Sequence, residues 1–317
     1  MRTIIHNATI VNEGKEFLGS VVIEGELISD VISGRLDDPS PYDQVIDGTG
    51  LFLFPGVIDS HVHFREPGMT HKADIASESR TAAAGGVTSY MDMPNCIPST
   101  TTIANLEEKF RIAEEKSRVN YSFYFGATTN NIDQVKMLNP GRVPGLKIYM
   151  GSSTGNMLVD EEWALRELMT NSPLRVMAHC ESNSIIETNI RTFKKRYKGQ
   201  NDFPVRYHSR IRNVDACYAS TSLAIRIAQE CGARLHIAHV SSAKELELFS
   251  NSTNIEDKRL TCEVVIPHLM FCSDDYDTLG CKIKCNPSVK SADDREALRN
   301  ALSTGVVDVV STDHAPH

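Results

Sequence analysis

The amino-acid sequence predicts an α/β fold, a (β/α)8 barrel preceded by a small N-terminal β-module. Short β-rich segments broken by glycines fill residues 1–50, and from residue 51 onward apolar strand candidates alternate with helical patterns. The alternating part contains eight strand candidates. Because strands that alternate with helices are typical of parallel βαβ units, we predict two domains, the β-module at 1–50 and the barrel at 51–317.

The β-module is predicted from three short segments rich in β-branched residues, at 3–11, 20–23 and 27–32. Glycines at 14, 19, 25 and 34 interrupt or separate them. Glycines placed in this way are typical of short strands joined by turns.

The barrel strands are predicted at 57–64, 88–93, 121–127, 145–150, 175–180, 234–240, 261–266 and 307–312. Helical patterns lie between them at 74–84, 105–118, 161–169, 215–231 and 293–302. A doubly wound open sheet has a similar repeat, but only a closed ring brings the first strand beside the eighth. The chain stops just past the eighth strand, so we expect it to lack the last helix and a C-terminal β segment.

Composition and charge narrow the class of protein. Of the 317 residues, 41% are hydrophobic and 23% charged, and the net charge is −8. These values are typical of a globular protein with a sizeable core and offer no basic surface for nucleic acid. No stretch approaches the ~20 apolar residues that cross a bilayer, and no signal peptide is evident. With cysteines that form no CxxC pair, the sequence predicts a cytoplasmic protein with reduced thiols.

Histidines and one aspartate stand where predicted strands meet their loops. The first strand ends with His61 and His63, which share a face because they are two residues apart. His179, His239 and Asp313 end the fifth, sixth and eighth strands. Imidazole and carboxylate groups are ligands of Zn²⁺. A pair of strand histidines is more often incidental, but five such residues at strand ends predict a metal site at the barrel mouth.

Lys147 lies inside the apolar fourth strand. A buried lysine is costly unless it is paired or neutralised. One interpretation is a side chain that extends along the rim to water. The other is an amine that burial deprotonates and CO2 carboxylates, giving a carbamate whose two oxygens can bridge two metals.

Seven motifs run through the chain: PGVID at 55–59, HVHFREPG at 61–68, MPN at 93–95, AHCE at 178–181, HVSS at 239–242, NP at 286–287 and TDHAPH at 312–317. With these motifs the chain resembles the amidohydrolase superfamily, and most closely its long bacterial-type dihydroorotases. The resemblance implies a TIM-type barrel with a binuclear zinc site. The implied ligands are His61, His63 and Asp313 for one zinc, His179 and His239 for the other, and N6-carboxylated Lys147 as the bridge. Some members use a bridging aspartate just after strand four, but here the loop 151–156 contains no carboxylate.

The resemblance also implies a reaction and a substrate pocket. The reaction is the reversible hydrolysis of the cyclic amide of L-dihydroorotate to N-carbamoyl-L-aspartate, a step of pyrimidine biosynthesis. A zinc-activated bridging hydroxide attacks, and Asp313 transfers the proton. Arg65 is expected to grip the substrate carboxylate, Asn95 and His317 to complete its pocket, and Asn286 to contact the ring.

Several alternatives stay open at this point. Arg65 could form a rim salt bridge with Glu66 or a neighbouring residue, and Asn95 could belong to an ordinary turn after Pro94. The loop 151–156 could be a mobile lid or a plain connection. Another cyclic amidohydrolase (an allantoinase, or a hydantoinase or dihydropyrimidinase) and a non-catalytic scaffold are the competing functions. Cobalt or manganese could replace zinc.

The remaining expectations concern partners and bystander residues. The resemblance suggests a homodimer. Aspartate transcarbamoylase is the possible partner under the alternative of a non-catalytic scaffold. The other histidines are expected to be structural or exposed, and Cys180 and Cys262 to be packing residues. These histidines are His6, His71, His208, His236, His268 and His314.

Overall fold

The computed structural model describes residues 1–151, 156–197 and 204–317. The chain divides into two compact units, Met1–Val57 and Ile58–His317. The strands are β1 Arg2–Asn12, β2 Lys15–Glu24, β3 Leu27–Ser33, β4 Gln44–Asp47, β5 Phe52–Leu53, β6 Val57–Val62, β7 Val87–Asp92, β8 Asn120–Phe123, β9 Phe125–Gly126, β10 Leu146–Tyr149, β11 Val176–His179, β12 Leu235–Ile237, β13 Leu260–Val265 and β14 Val309–Ser311.

The α-helices of the described residues are α1 Ile75–Ala84, α2 Ile103–Lys116, α3 Ile132–Val135, α4 Glu162–Asn171, α5 Asn183–Arg196, α6 His208–Ile211, α7 Val214–Cys231, α8 Ala243–Leu246, α9 Ile266–Met270, α10 Tyr276–Leu279 and α11 Ala292–Ser303. Short 3-10 helices lie at Val205–Tyr207, Ser273–Asp275 and Gly280–Ile283. None of the helices in the described ranges combines the length and apolarity that a membrane span needs.

The N-terminal unit is one sheet in the order β3-β2-β1-β4, with β5 also paired to β1. The hairpin between β1 and β2 turns through Glu13 and Gly14, both at positive φ, as a two-residue hairpin turn of the primed type requires. The unit extends beyond the predicted boundary at residue 50, because Thr9 and Ile10 pair with Phe52 and Leu53 of β5.

The second unit is a closed barrel, which confirms the predicted fold class. One sheet has the order β14-β13-β12-β11-β10-β9 and the other the order β6-β7-β8. The predicted third strand is divided into β8 and β9 around Tyr124, whose N–H donates to the carbonyl of Asp92. The ring closes where Val62 bridges to His314 in parallel and the His63 N–H donates to the His314 carbonyl at 2.7 Å. An open sheet is thereby excluded, because the first strand lies beside the last.

Successive side chains of the barrel strands alternate between the apolar core under the helices and the interior of the barrel. On β10, Leu146 and Ile148 are fully buried in the large hydrophobic core that the helices cover. Lys147 and Tyr149 alternate with them and therefore point to the other face. Met177 on β11 belongs to a small interior cluster, so this alternation directs the polar side chains of the strands into the barrel.

Candidate active site

The five residues predicted at strand ends meet around one point. Ligand atoms of His61, His239 and Asp313 all lie within 4.8 Å of one another. His63 Nε2 lies 3.0 Å from Asp313 Oδ1, and His179 Nδ1 lies 2.9 Å from His239 Nε2. Residues from four different strand ends converge, as they do at the carboxyl end of a (β/α)8 barrel.

Both histidines of the first strand are held through Nδ1. His61 Nδ1 lies 2.5 Å from Glu263 Oε1, and His63 Nδ1 lies 2.7 Å from Asn95 Oδ1. A carboxylate and an amide oxygen can only accept, so each Nδ1 donates. The Nε2 lone pairs are then directed to the cluster, which is the arrangement that an outer acceptor imposes on a metal-binding imidazole.

His179 is held the other way round. Its Nε2 lies 2.9 Å from Glu181 Oε2, and that oxygen also accepts from Arg212 Nη1 at 2.5 Å. Burial opposes ionisation of Glu181, but His179 and Arg212 hold the pKa of its carboxyl at about 2. Glu181 is therefore a carboxylate that fixes Nδ1 of His179 toward His239.

His239 differs from the other three imidazoles. Its side chain is buried, and Nδ1 has no hydrogen-bond partner among the described residues. A buried polar atom without a partner costs about 1–3 kcal/mol, which makes it a mark of strain or of an absent ligand.

The protonation states suit metal binding. Burial lowers the pKa of His63, His179 and His239, so these imidazoles are neutral near pH 7. Burial opposes ionisation of Asp313, but His61 and His63 hold the pKa of its carboxyl well below the usual value. Neutral imidazoles and an ionised carboxylate are the forms that coordinate a metal.

Lys147 is 1% exposed and projects into the same interior. Its Nζ lies 5.2 Å from the centre of the Tyr149 ring, and no salt bridge joins it to an acidic side chain of the described residues. Burial lowers the pKa of Lys147 to about 8, with the charges of Glu263 and Asp313 acting in the opposite direction. The side chain therefore does not escape to water at the rim.

Arg65 lies next to the cluster and is 9% exposed. Its Nε donates to the carbonyl of Pro316 at 2.9 Å, and no described carboxylate forms a salt bridge with it. The alternative pairing with Glu66 is wrong, because Glu66 accepts from Lys116 Nζ and from the Ile75 N–H instead. The guanidinium is thus nearly buried without a described anionic partner.

Three residues of the cluster region have strained backbones. Arg65, His239 and Asp313 have φ values of 68°, 36° and 51°. A positive φ is uncommon for residues other than glycine, and such strain concentrates at functional sites.

The other predicted substrate residues lie in different surroundings. Asn95 is committed to His63, as described above. Asn286 is exposed, and its Oδ1 lies 3.0 Å from His208 Nε2. His317 is exposed, and the charges of Arg65 and His63 act on its pKa, which burial lowers. Direct contact of these residues with a substrate stays a prediction.

The residues expected to be bystanders make local contacts. His236 contacts Thr261, His268 contacts the Pro287 carbonyl, and His314 contacts Glu78. Cys180 and Cys262 are buried free thiols. Residues 152–155 of the loop 151–156 lie outside the described residues, and so does its predicted role as a lid.

Glu263 and Glu181 were not predicted from the sequence. Glu263 is a charged residue within the apolar strand β13, which is the same signal that marks Lys147 in β10. Glu181 comes two residues after His179. Charged residues inside or just beyond apolar strands could therefore have revealed both.

The donors fit a divalent metal centre with nitrogen and oxygen ligands. Three buried imidazoles, the largely buried imidazole of His63 and one carboxylate converge. Three of the imidazoles are oriented by outer acceptors, and the fourth has a nitrogen without a partner among the described residues. Imidazole nitrogens and carboxylate oxygens are among the ligands that Zn²⁺ takes in proteins. Fold and site together define a class, the (β/α)8 barrels with a metal-ligand cluster at the carboxyl ends of the strands.

Comparison with known proteins identifies the family. The profile of the amidohydrolase family matches residues 52–317. The chain belongs to this family.

Two similar sequences and one similar solved structure carry three different names. An allantoinase of Bacillus velezensis is 31% identical over 99% of this chain and 68% of its own length. A dihydroorotase of Methanosarcina mazei is 36% identical over 88% of this chain and 61% of its own length. An L-hydantoinase structure from Arthrobacter aurescens superposes with a TM-score of 0.89 at 24% identity, over 99% of this chain and 69% of that one. The chain therefore spans about two thirds of the length of these relatives.

Proposed function

We propose that this chain is the catalytic barrel of a zinc-dependent cyclic amidohydrolase whose substrate is dihydroorotate. The observation that carries the choice of substrate is Arg65, a nearly buried guanidinium beside the ligand cluster without an ion pair among the described residues. A desolvated guanidinium is favourable only with an anion, and its planar fork matches a carboxylate. Dihydroorotate carries a carboxylate on its ring, whereas allantoin and dihydrouracil do not.

The proposed metal-binding roles follow the grouping of the side chains, because His61 and His63 contact Asp313 whereas His179 contacts His239. His61, His63 and Asp313 would hold one zinc, and His179 and His239 the other. When bound, such a pair lowers the pKa of water and polarises a carbonyl oxygen.

Asp313 is the proposed proton carrier. In ring opening, the water oxygen attacks the ring amide carbon and the C–N bond breaks. Asp313 takes a proton from the attacking water and delivers it to the leaving nitrogen. In ring closure the same carboxylate takes the proton from the attacking nitrogen and delivers it to the departing oxygen. Its ionised state and its contact with His63 at 3.0 Å suit this role.

Lys147 is the proposed bridge between the two metals after carboxylation of Nζ by CO2. Full burial without a described salt bridge favours the uncharged amine that reacts with CO2. Anomalous scattering from crystals of the zinc-loaded protein tests this role. Two metals beside an unmodified Lys147 would contradict it.

Allantoinase activity is the second candidate, because the relatives include an allantoinase at comparable identity. The purified zinc-loaded protein should be assayed with dihydroorotate, N-carbamoyl-aspartate, allantoin, hydantoin and dihydrouracil. We expect turnover of the first two to exceed that of the others by at least about 100-fold, the loss caused by one unpaired buried charge. Preferential turnover of an uncharged ring would overturn the assignment.

Arg65→Gln provides the internal check. Loss of the bidentate ionic contact should lower kcat/KM for dihydroorotate by about 10–100-fold, and bound zinc should not change. Arg111→Gln is the matched control, because this arginine is exposed and its ion pairs among the described residues are with Glu108 and Glu115 alone. Equal kcat/KM in the Arg65 variant and in the wild type would argue against a carboxylate pocket.

A further inference from the structure

One buried carboxylate contacts residues of both proposed metal sites, His61 of the first and His239 of the second. Glu263 on β13 has no exposed surface, and its Oε1 lies 2.5 Å from His61 Nδ1. The same oxygen accepts from the main-chain N–H of His239 at 3.3 Å. Its other oxygen, Oε2, lies 3.4 Å from His236 Nε2.

The main chain of Glu263 anchors the same segment. Its carbonyl accepts from the Val240 N–H at 2.9 Å, directly beyond His239. His239 has a φ of 36°, a conformation that neighbouring contacts must maintain in a residue with a side chain. Glu263 therefore fixes two successive residues just beyond β12, His239 through its side chain and Val240 through its backbone.

No lysine or arginine of the described residues forms a salt bridge with Glu263 that would explain why a carboxylate is buried here. Among the described residues its ion pairs are only with His61 and His236. A buried carboxylate costs several kcal/mol unless hydrogen bonds compensate, so a Glu at this place is explained by what it holds. The other outer acceptors each hold one imidazole, Asn95 holding His63 and Glu181 holding His179.

We propose that Glu263 is a positioning residue shared by the two metals. It keeps the proton of His61 on Nδ1, so that Nε2 faces the first metal, and it holds the backbone from which His239 reaches the second. The inference rests on the proposed binuclear centre. The inference adds that a single residue contributes to the affinity for both metals.

The experiment is a metal titration of Glu263→Ala, Asn95→Ala and Glu181→Ala, with Zn²⁺ and Co²⁺ measured by chelator competition. Outer-shell partners typically contribute 10–100-fold to metal affinity. We expect Glu263→Ala to weaken both binding steps by about 10–100-fold. Asn95→Ala should weaken only one step, and Glu181→Ala only the other. The visible spectrum of the Co²⁺ protein should change at both sites in the Glu263 variant alone.

Two further variants separate positioning from folding. Glu263→Gln keeps an oxygen that can accept from His61, so it should recover affinity relative to Glu263→Ala, with less than about 10-fold loss at each step. Glu245→Ala removes an equally buried glutamate that bonds Thr221, Ser241 and Ser242. It should lower thermal stability and leave both metal affinities at the wild-type level.

The results are decisive in each direction. Weakening of both steps by Glu263→Ala, with partial recovery in Glu263→Gln, supports the proposal. Weakening of one step or of neither, in a variant whose circular dichroism is native, overturns it. A wild-type protein that binds fewer than two metals would instead overturn the binuclear centre itself.

Discussion

The two halves of the ligand cluster are built on different parts of the barrel. His61, His63 and Asp313 lie where the first strand meets the last, and this seam is held by the bridge from Val62 to His314 and a few hydrogen bonds. His179 ends β11 and His239 lies two residues beyond β12, and these two strands pair in continuous register within the larger sheet. The first half therefore depends on ring closure, whereas the second depends on a sheet that is intact without it.

The halves also differ in how their imidazoles are oriented. In the first half both histidines donate from Nδ1 to outer acceptors. In the second, His179 is held through Nε2, and Nδ1 of His239 has no described partner. The histidines of the seam half are therefore fixed by the side chains around them, whereas His239 is fixed through its backbone.

The largest effect is expected from Asp313→Ala. This substitution removes the seam carboxylate and the proposed proton carrier together. We expect kcat to fall by about 10³-fold or more, from the range that general acid–base groups contribute. Steady-state rates on dihydroorotate measure it, and a loss below tenfold would contradict the proposed role.

His239→Asn should break the second half. Loss of its imidazole should reduce bound zinc from about two to about one per chain, because structural and catalytic zinc sites rely on each of their few ligands. Elemental analysis after dialysis measures this. His268→Asn is the control, since that buried histidine bonds the Pro287 carbonyl outside the cluster and should retain both metals.

Asp59→Ala should loosen the seam. Asp59 accepts from the N–H and Oγ1 of Thr312, at 3.2 and 2.6 Å, and from the His61 N–H at 3.2 Å. Leaving these donors unpaired should lower the free energy of unfolding by about 1–3 kcal/mol and weaken the first metal more than the second. Urea unfolding and metal titration measure the two effects.

Asp308→Ala is the matched control for the seam. This aspartate lies just before β14, at its opposite end, and bonds Lys258 and the Cys262 N–H. It should lower stability without changing the affinity of either metal. If both aspartate variants weakened the two metals equally, binding of the first metal would not depend on the seam in particular.

The smallest effect is expected from Thr312→Val. The substitution keeps the shape of the side chain and removes the hydroxyl that donates to Asp59 and accepts from the His314 N–H. We expect a loss of about 1 kcal/mol in the free energy of unfolding, with both metals retained. A loss of bound metal in this variant would mean that closure of the seam is more fragile than its contacts indicate.

Much of the barrel could be predicted because its strands are apolar runs, several of which end in histidine or aspartate residues. The predicted strand at 145–150 contains β10, and that at 175–180 contains β11. The boundary of the N-terminal unit was harder to place. The sequence pattern places Phe52 and Leu53 in the next domain, whereas in the structure they pair with Thr9 and Ile10 of the N-terminal sheet.

The outer contacts could not be predicted in the same way. Asn95 is predicted to contact substrate, and no pattern in the sequence indicated that its Oδ1 also accepts from His63 Nδ1. Arg65 had two open interpretations until Glu66 was found to bond Lys116. Such pairings join residues of different loops, and no periodicity in the sequence specifies which side chains will meet.

By itself the sequence determined the alternation of strands and helices, the positions of the histidines and Asp313 at strand ends, and the membership of Lys147 in an apolar strand. These follow from local patterns, since the strand period decides which residues share a face. Only the tertiary structure decided that the ring closes between Val62 and His314 and that Glu263 contacts both halves of the cluster. Those contacts join residues far apart in the chain, and they exist only once the barrel has closed.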